Sequence, residues 1–203
     1  MVVLSAAIPA VPALRKTILQ AAGRALLAED GIGPADIIVV ASDAPGAGVL
    51  EAADLVHSGV ATRVAVFNDL PDPVVDREFM RRGIPREDDA TESVRQLKAL
   101  GVDTIEVIPT LIAGTEDEGR VLPPWCDQQG FRSIVVVAET DHTRRLRRVL
   151  RRSLSGHTTT VTIRASRYSQ FDPARWWETR AGVRTGIVEL EKLLLDVVRH
   201  PIS

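Results

Sequence analysis

The residues with the clearest potential for chemistry lie between positions 139 and 152, in the segment ETDHTRRLRRVLRR. Leu146, Val149 and Leu150 form an apolar stripe, which predicts a helix packed against a sheet. His142 lies four residues before Leu146, and Arg145 lies three residues after His142 and four before Val149. Both therefore fall on or beside the inward face at the first turn. A histidine there can act as a general acid or base or donate to an anion, or it can have a purely structural role.

Four other arginines of this helix point away from the stripe and predict a solvated face: Arg144, Arg147, Arg148 and Arg151. A nucleic-acid patch is the alternative for such a cluster. The formal net charge of −2 gives the chain no general attraction to nucleic acid or to anionic membrane. We therefore predict a small-molecule ligand and no nucleic-acid partner.

A second polar group follows Gly114 and reads Thr115-Glu116-Asp117-Glu118. Thr115 and Glu118 have the spacing of a capping box, which would make this segment a helix start. Asp117 is not needed for that pattern and is the predicted catalytic carboxylate, orienting His142 or a water molecule. A divalent cation could bridge such carboxylates to a phosphate, but no ligand spacing defines one, and we predict no metal site.

The segment SDAPGAG, from Ser42 to Gly48, offers two glycines that would let a phosphate approach the backbone. It matches neither the dinucleotide-binding glycine pattern nor a P-loop, and a turn capped by Ser or Asp is the structural alternative. We predict ligand contacts from Ser42 and Asp43, and from Asn68 in a second turn, in addition to Thr115 and Arg145.

The elements that must position these residues follow from five apolar runs rich in β-branched residues, at 37–41, 63–67, 104–108, 134–138 and 159–163. Helical stripes alternate with them, and the last stripe comprises Ile187, Leu190, Leu193, Leu194 and Val197. This alternation predicts an α/β fold, a three-layer Rossmann-like arrangement with about five mostly parallel strands and helices on both faces. Ligands of such sheets bind at the carboxyl ends of the strands, where the polar segments lie.

The chain has 203 residues, of which 45% are hydrophobic, and this is enough for one domain with a full core. We predict an apolar N-terminal arm and helix at residues 1–33 and the α/β domain at residues 34–203. Met1–Leu14 is apolar, but two prolines interrupt it and its basic residues follow it, so we expect neither a spanning helix nor a signal peptide. Contact with a membrane surface remains open, and the predicted location is the cytoplasm.

Two further predictions concern packing. Cys126, the single cysteine, is predicted to be a small buried hydrophobe and not a nucleophile. The Trp176-Trp177 pair at the start of the final helix is predicted to anchor a core, with a stacking platform as the alternative.

Several motifs occur in an order and spacing that resemble the YdcF/SanA/ElyC-like family of bacteria, over about Pro34 to Leu195. They are Ala35-Asp36 before the first strand, Ser58-Gly59, Met80 with Gly83, Thr115-x-Asp117, His142-x-x-Arg145, and a tail of Tyr168, Phe171-Asp172-Pro173, Trp176-Trp177 and Glu191-Lys192. The resemblance implies a Rossmann-like fold with a pocket at the strand ends. It also implies an association with the cell envelope, with some members membrane-anchored, and S-adenosylmethionine as a candidate cofactor.

The chain departs from that family at four places. Ser42-Asp43 stands where the family has a glycine pair, and Gly48 where it has an arginine that could clamp an anion. Asn68-Asp69 replaces Ser-Gly, and Asp117-Glu118 replaces an acidic-Asn pair. These departures imply a less anionic ligand or a loss of catalysis.

Three functions therefore remain open from the sequence. The first is an enzyme, a hydrolase or transferase of a phosphorylated or nucleotide-like small molecule, with His142 as acid or base and Arg145 as an oxyanion clamp. The second is a non-catalytic S-adenosylmethionine or nucleotide-binding module. The third is a catalytically silent scaffold at the envelope. The sequence does not define the oligomeric state.

Overall fold

The structure, a computed structural model, describes residues 12–84 and 87–201. The strands are β1 (Ile37–Val40), β2 (Arg63–Asp69), β3 (Thr104–Ile112), β4 (Ser133–Ala138) and β5 (Thr160–Ala165). The helices are α1 (Pro12–Leu26), α2 (Ala47–His57), α3 (Val75–Arg81), α4 (Asp89–Ala99), α5 (Thr115–Gln129), α6 (Thr143–Ser153) and α7 (Arg180–Arg199), with a 3-10 turn at Trp176–Glu178.

The five strands form one parallel sheet in the order β3-β2-β1-β4-β5. The predicted α/β, Rossmann-like fold is thus confirmed, although β2 and β3 extend further than their apolar runs, to Asp69 and Ile112. The chain fills the sheet in one direction from β1 to β3 and then in the other from β4 to β5. The ends of β1 and β4 therefore border the switch point at which ligands bind in sheets of this kind.

Helices cover both faces of the sheet. Helices α5 and α6 pack over one face, around Leu122, Ile134 and Leu146, and α2 and α4 pack over the other, around Val49 and Leu97. The four residues of β1 are buried on both sides, which explains why its sequence is continuously apolar. Cys126 is fully buried among these aliphatic side chains, and burial raises the pKa of its thiol to about 12, as expected of an inert packing residue.

The terminal helices α1 and α7 pack against each other beside α6. The Trp176 ring, which lies between them, donates from Nε1 to the Leu19 carbonyl oxygen at 2.8 Å, so the predicted anchoring role of Trp176 is confirmed. After α1, the Ala28 N–H donates to Thr143 Oγ1 at 2.8 Å. The chain before the sheet is thereby fastened to the first turn of α6.

The predicted stripe of α7 is wrong in part. Ile187 and Leu194 are exposed, whereas Glu189 and Asp196 are buried. The reason lies on α6, whose arginines face α7 and require carboxylates there. Arg148 Nε, for example, lies 2.5 Å from Asp196 Oδ2.

The prediction of a solvated arginine face is wrong for three of its four arginines. Arg148 is engaged with α7, and Arg147 pairs with Asp30 at 2.7 Å. Arg144 donates to the Ala25 carbonyl oxygen at 3.2 Å. Of the four, Arg151 keeps the predicted exposed position. The arginines of α6 thus fasten α1, the segment before β1 and α7 to α6.

In the part of the chain that the structure describes, no helix has the length and apolar character needed to cross a bilayer. The possible membrane contact concerns the apolar segment Met1–Leu14. Most of this segment lies outside the described residues.

Candidate functional site

A cavity of about 1120 Å³ opens at the carboxyl ends of β1 and β4. The beginnings of four helices meet there, and their wall residues are Ala47 of α2, Thr115 of α5, His142 before α6 and Thr179 before α7. Helix beginnings offer unpaired N–H groups and the positive end of the helix dipole. The cavity therefore combines the two features by which such folds bind small polar molecules.

His142 is the most buried polar residue of the cavity wall, with 3% of its surface exposed. Its Nε2 lies 3.1 Å from Thr115 Oγ1, and its Nδ1 lies 3.3 Å from Glu189 Oε2. A hydroxyl, an imidazole and a carboxylate thus lie in series. This is the arrangement by which hydrolases activate a hydroxyl group or a water molecule.

Arg145 lies beside the same imidazole. Its Nε donates to Glu189 Oε2 at 3.1 Å, and its Nη2 lies 2.9 Å from His142 Nδ1. A guanidinium can only donate, so a hydrogen bond from Arg145 Nη2 requires an unprotonated Nδ1. The hydrogen bond with Glu189 requires a proton on Nδ1 instead. The two contacts of Nδ1 therefore exclude each other as hydrogen bonds, and the tautomer of His142 decides which one forms. Arg145 also lines the cavity.

The charges around His142 favour its protonated form. Burial acts to lower the pKa of His142, but the negative charge of Asp43 and the hydrogen bond with Glu189 outweigh it, so the pKa is raised. For Glu189, burial acts to raise the pKa, but the hydrogen bonds from His142 and Lys192 lower it to about 2. Glu189 is therefore a permanent anion that can stabilise an imidazolium.

Asp43 is another titratable residue of the cavity wall. Asp43 is exposed to solvent in the cavity wall, yet many protein atoms surround its carboxylate. The resulting partial loss of hydration raises the pKa of Asp43 to about 7; the charge of His142 opposes the shift, and the carboxylates of Glu118 and Asp141 add to it. Asp43 can thus accept or release a proton near neutral pH.

The start of α5 does not form the predicted capping box. Gly114 is the N-cap, and its φ of 142° favours glycine. The Thr115 hydroxyl contacts His142 instead, and Glu118 Oε1 accepts from the Ser42 N–H at 2.8 Å. Both side chains are turned inward to the site because the helix start faces the carboxyl ends of the strands.

Asp117 lies outside the cavity wall. Its carboxylate accepts from the Ala113 N–H at 3.0 Å and pairs with Arg120 at 2.8 Å. The structure therefore does not bring Asp117 to His142, and the orienting carboxylate predicted for the imidazole is Glu189 instead. Asp117 is directed outward because it lies two residues after Thr115 on a helix, on another face.

Asn68 also lies outside the large cavity. Its neighbour Asp69 lines a smaller cavity beside the first turn, together with Ser42 and Pro45. Burial raises the pKa of Asp69 to about 6, and the charges of Asp89 and Glu118 act in the same direction. The end of β2 thus contributes to the ligand region through Asp69.

Of the seven predicted site residues, the structure brings five to the wall of the large cavity: Ser42, Asp43, Thr115, His142 and Arg145. The sequence analysis missed Glu189, Lys192, Glu139 and Asp141. A signal for Glu189 exists, because Glu189 and Asp196 lie seven residues apart on one face of α7 and match the arginines of α6.

Within the described ranges, no group of three or more His, Cys, Asp or Glu side chains has the geometry to hold a metal ion.

No protein-family model matches the chain, and no curated protein matches it. Among solved structures it is similar to the rRNA methyltransferase aviRa from Streptomyces viridochromogenes, with 14% sequence identity over 75% of this chain and 73% of that chain. The TM-score is 0.32, which is too low to establish a shared family or function. What this chain does must therefore be inferred from its own site.

Proposed function

We propose that this protein is a hydrolase or acyl transferase of a small molecule bound at the switch point of the sheet. The series Thr115–His142–Glu189, with contacts of 3.1 and 3.3 Å, is the observation that carries the proposal. A buried imidazole with a hydroxyl on one nitrogen and a carboxylate on the other is pre-arranged for proton transfer.

In the proposed reaction, His142 Nε2 takes the proton of the Thr115 hydroxyl as Oγ1 attacks a carbonyl carbon of the ligand. His142 then gives this proton to the leaving group, and water or another acceptor releases the acyl group from Thr115 by the reverse proton path. Glu189 holds the Nδ1 proton and stabilises the imidazolium. Arg145, released from Nδ1 in that state, donates to the developing oxyanion.

A carbonyl ligand suits the site better than the phosphorylated ligand predicted from His142 and Arg145. Glu189 already engages the three cations of the wall, which are His142, Arg145 and Lys192. Three further carboxylates face the same space: Asp43, Glu139 and Asp141. A dianionic phosphate would be repelled there, whereas a neutral carbonyl would not.

A panel of p-nitrophenyl esters tests the proposal. Wild-type protein should release nitrophenol, and Thr115→Val should abolish the release while Thr115→Ser retains it. Intact-protein mass spectrometry should detect the acyl group on wild-type protein. Equal turnover by wild type and Thr115→Val would refute Thr115 as the nucleophile.

A second candidate, a nucleoside-binding module without chemistry, is favoured by Asp69. An acidic residue at the end of the second strand, about 20 residues after the first turn, holds the ribose hydroxyls in dinucleotide-binding folds. Adenosine and S-adenosylmethionine should then raise the melting temperature of wild-type protein and not of Asp69→Asn. Membership of the YdcF/SanA/ElyC-like family, an envelope role and a cytoplasmic location stay predictions from the sequence.

A further inference from the structure

The turns after β1 and β4 bring three carboxylates, Asp43, Glu139 and Asp141, to one part of the cavity wall. Within the described ranges, none of the three pairs with a Lys, Arg or His side chain by a salt bridge. Asp141 is buried, Glu139 is half-buried and Asp43 is exposed. Carboxylates as buried as Asp141 are usually paired, because unpaired burial of charge is costly. Within the described residues, these turns therefore hold carboxylates that no basic side chain contacts directly.

Asp141 is the most informative of the three, because 9% of its surface is exposed and that surface faces the cavity. Within the described residues, its carboxylate accepts a hydrogen bond from its own backbone N–H. Burial raises its pKa, and the charges of Glu189 and Glu139 act in the same direction. A buried carboxylate with no partner side chain, directed into a cavity, indicates a ligand that supplies the partner.

The cations of the cavity do not supply it, because Glu189 engages them. Lys192 Nζ lies 2.6 Å from Glu189 Oε1, and Arg145 Nε lies 3.1 Å from Glu189 Oε2. Lys192 and Arg145 are thus held by Glu189, whereas the carboxylates of the strand turns have no such contact in the described part of the chain. A ligand bound between them would meet negative charge at the strand ends.

The surroundings fit an organic cation better than a metal ion. In the described part of the chain no set of three ligating side chains converges, whereas Ca²⁺ takes six to eight oxygen ligands. Tyr168, Phe171 and Leu50 line the same cavity. Aromatic faces attract alkylammonium and guanidinium groups, and an apolar wall accommodates their carbon atoms.

We propose that this cavity selects a ligand bearing an ammonium or guanidinium group, which binds against Asp43 and Asp141. The proposal rests on the same cavity as the proposed function and names the class of its ligand. It does not depend on the Thr115–His142–Glu189 series being catalytic.

A matched pair of probes tests the charge directly. Phenethylamine and phenethyl alcohol have the same shape and differ in the ammonium group, and inorganic phosphate provides the opposite charge. Binding is followed by ¹H–¹⁵N spectra of the full chain at millimolar probe. We expect phenethylamine to bind at least about tenfold more tightly than the alcohol, with shifts at residues 139–142, and phosphate to leave these signals unchanged.

The variants Asp43→Asn and Asp141→Asn should each weaken phenethylamine binding by about tenfold. Asp103→Asn, an exposed carboxylate at the opposite end of the sheet, should leave it unchanged and controls for the loss of one charge. If Asp141→Asn fails to give a folded spectrum, Asp43→Asn decides. Equal binding of amine and alcohol, no binding of the amine, tighter binding of phosphate, or unchanged binding by Asp43→Asn would overturn the proposal.

The two proposals fail separately. Loss of amine binding in the aspartate variants with esterase turnover retained at saturation would support the cation site. Loss of turnover in Thr115→Val with amine binding retained would support the catalytic series. Esterase activity in a protein that does not prefer the amine would refute the cation site alone.

Discussion

Glu189 and Asp196 are two buried carboxylates of α7, seven residues apart, and both face the arginines of α6. Asp196 is closed in by Arg148 and Arg152 at 2.5 and 3.2 Å and does not line the cavity. Glu189 has one arginine, but it also reaches His142 and lines the cavity. The same kind of ion pair between the same two helices is thus structural at one turn and positions an imidazole at another.

The largest expected effect is on turnover and comes from His142, the cavity residue that Glu189 contacts. His142→Gln should lower kcat on any ester that the wild type hydrolyses by about 10²–10⁴-fold, because the proton acceptor is lost. Asp196→Asn should leave kcat within experimental error once both proteins are assayed folded. A similar loss of kcat in both variants would contradict the division between the two carboxylates.

Glu189→Gln should lower kcat by about 10²-fold, because a neutral amide cannot stabilise the imidazolium. Its effect on KM should be small by comparison. Steady-state kinetics from pH 5 to 9 would measure both parameters, and a kcat equal to that of wild type across this range would exclude Glu189 as the orienting group.

Asp196, the structural carboxylate, should affect the free energy of unfolding. Asp196→Asn removes the partner of Arg148 and Arg152 and should lower the free energy of unfolding by about 3 kcal/mol. Urea denaturation followed by circular dichroism measures this quantity. A loss below about 0.5 kcal/mol, the range of ordinary surface substitutions, would show that the pair contributes no more than a surface ion pair.

The smallest expected effect is the pH dependence of stability that arises from Asp43. Its folded pKa of about 7 is above the unfolded value near 3.9, so wild-type stability should fall as pH rises from about 4 to 7. Asp43→Asn removes this loss and should be more stable than wild type at pH 8, with the difference shrinking toward pH 4. Urea midpoints at the two pH values would check it, and a pH-independent difference would contradict it.

Much of the fold could be predicted from the sequence, because the signals are local. The apolar runs of β1 and β4 are continuous, and Leu146, Val149 and Leu150 define the inward face of α6, which the structure confirms. The rule that ligands bind at strand ends then predicts ligand contacts from residues after the strands, among them Ser42, Asp43, Thr115, His142 and Arg145. All five line the cavity.

The partners of these residues could not be read in the same way, because they depend on contacts between distant segments. Glu189 lies 47 positions after His142 on a helix whose apolar residues suggest a different buried face. Thr115 and Glu118 match a local capping pattern, yet both side chains are used for contacts with other loops. The prediction of Asp117 as the catalytic carboxylate depends on that capping pattern, which the structure does not contain.

The most direct test of the account is the tautomer of His142, read from long-range ¹H–¹⁵N correlations of the four histidines in wild type and in Glu189→Gln. The proposed series predicts that the neutral ring carries its proton on Nδ1, that its pKa is above 6.5, and that Glu189→Gln lowers this pKa. A neutral ring protonated on Nε2, with Nδ1 accepting from Arg145 and a pKa unchanged by Glu189→Gln, would contradict it.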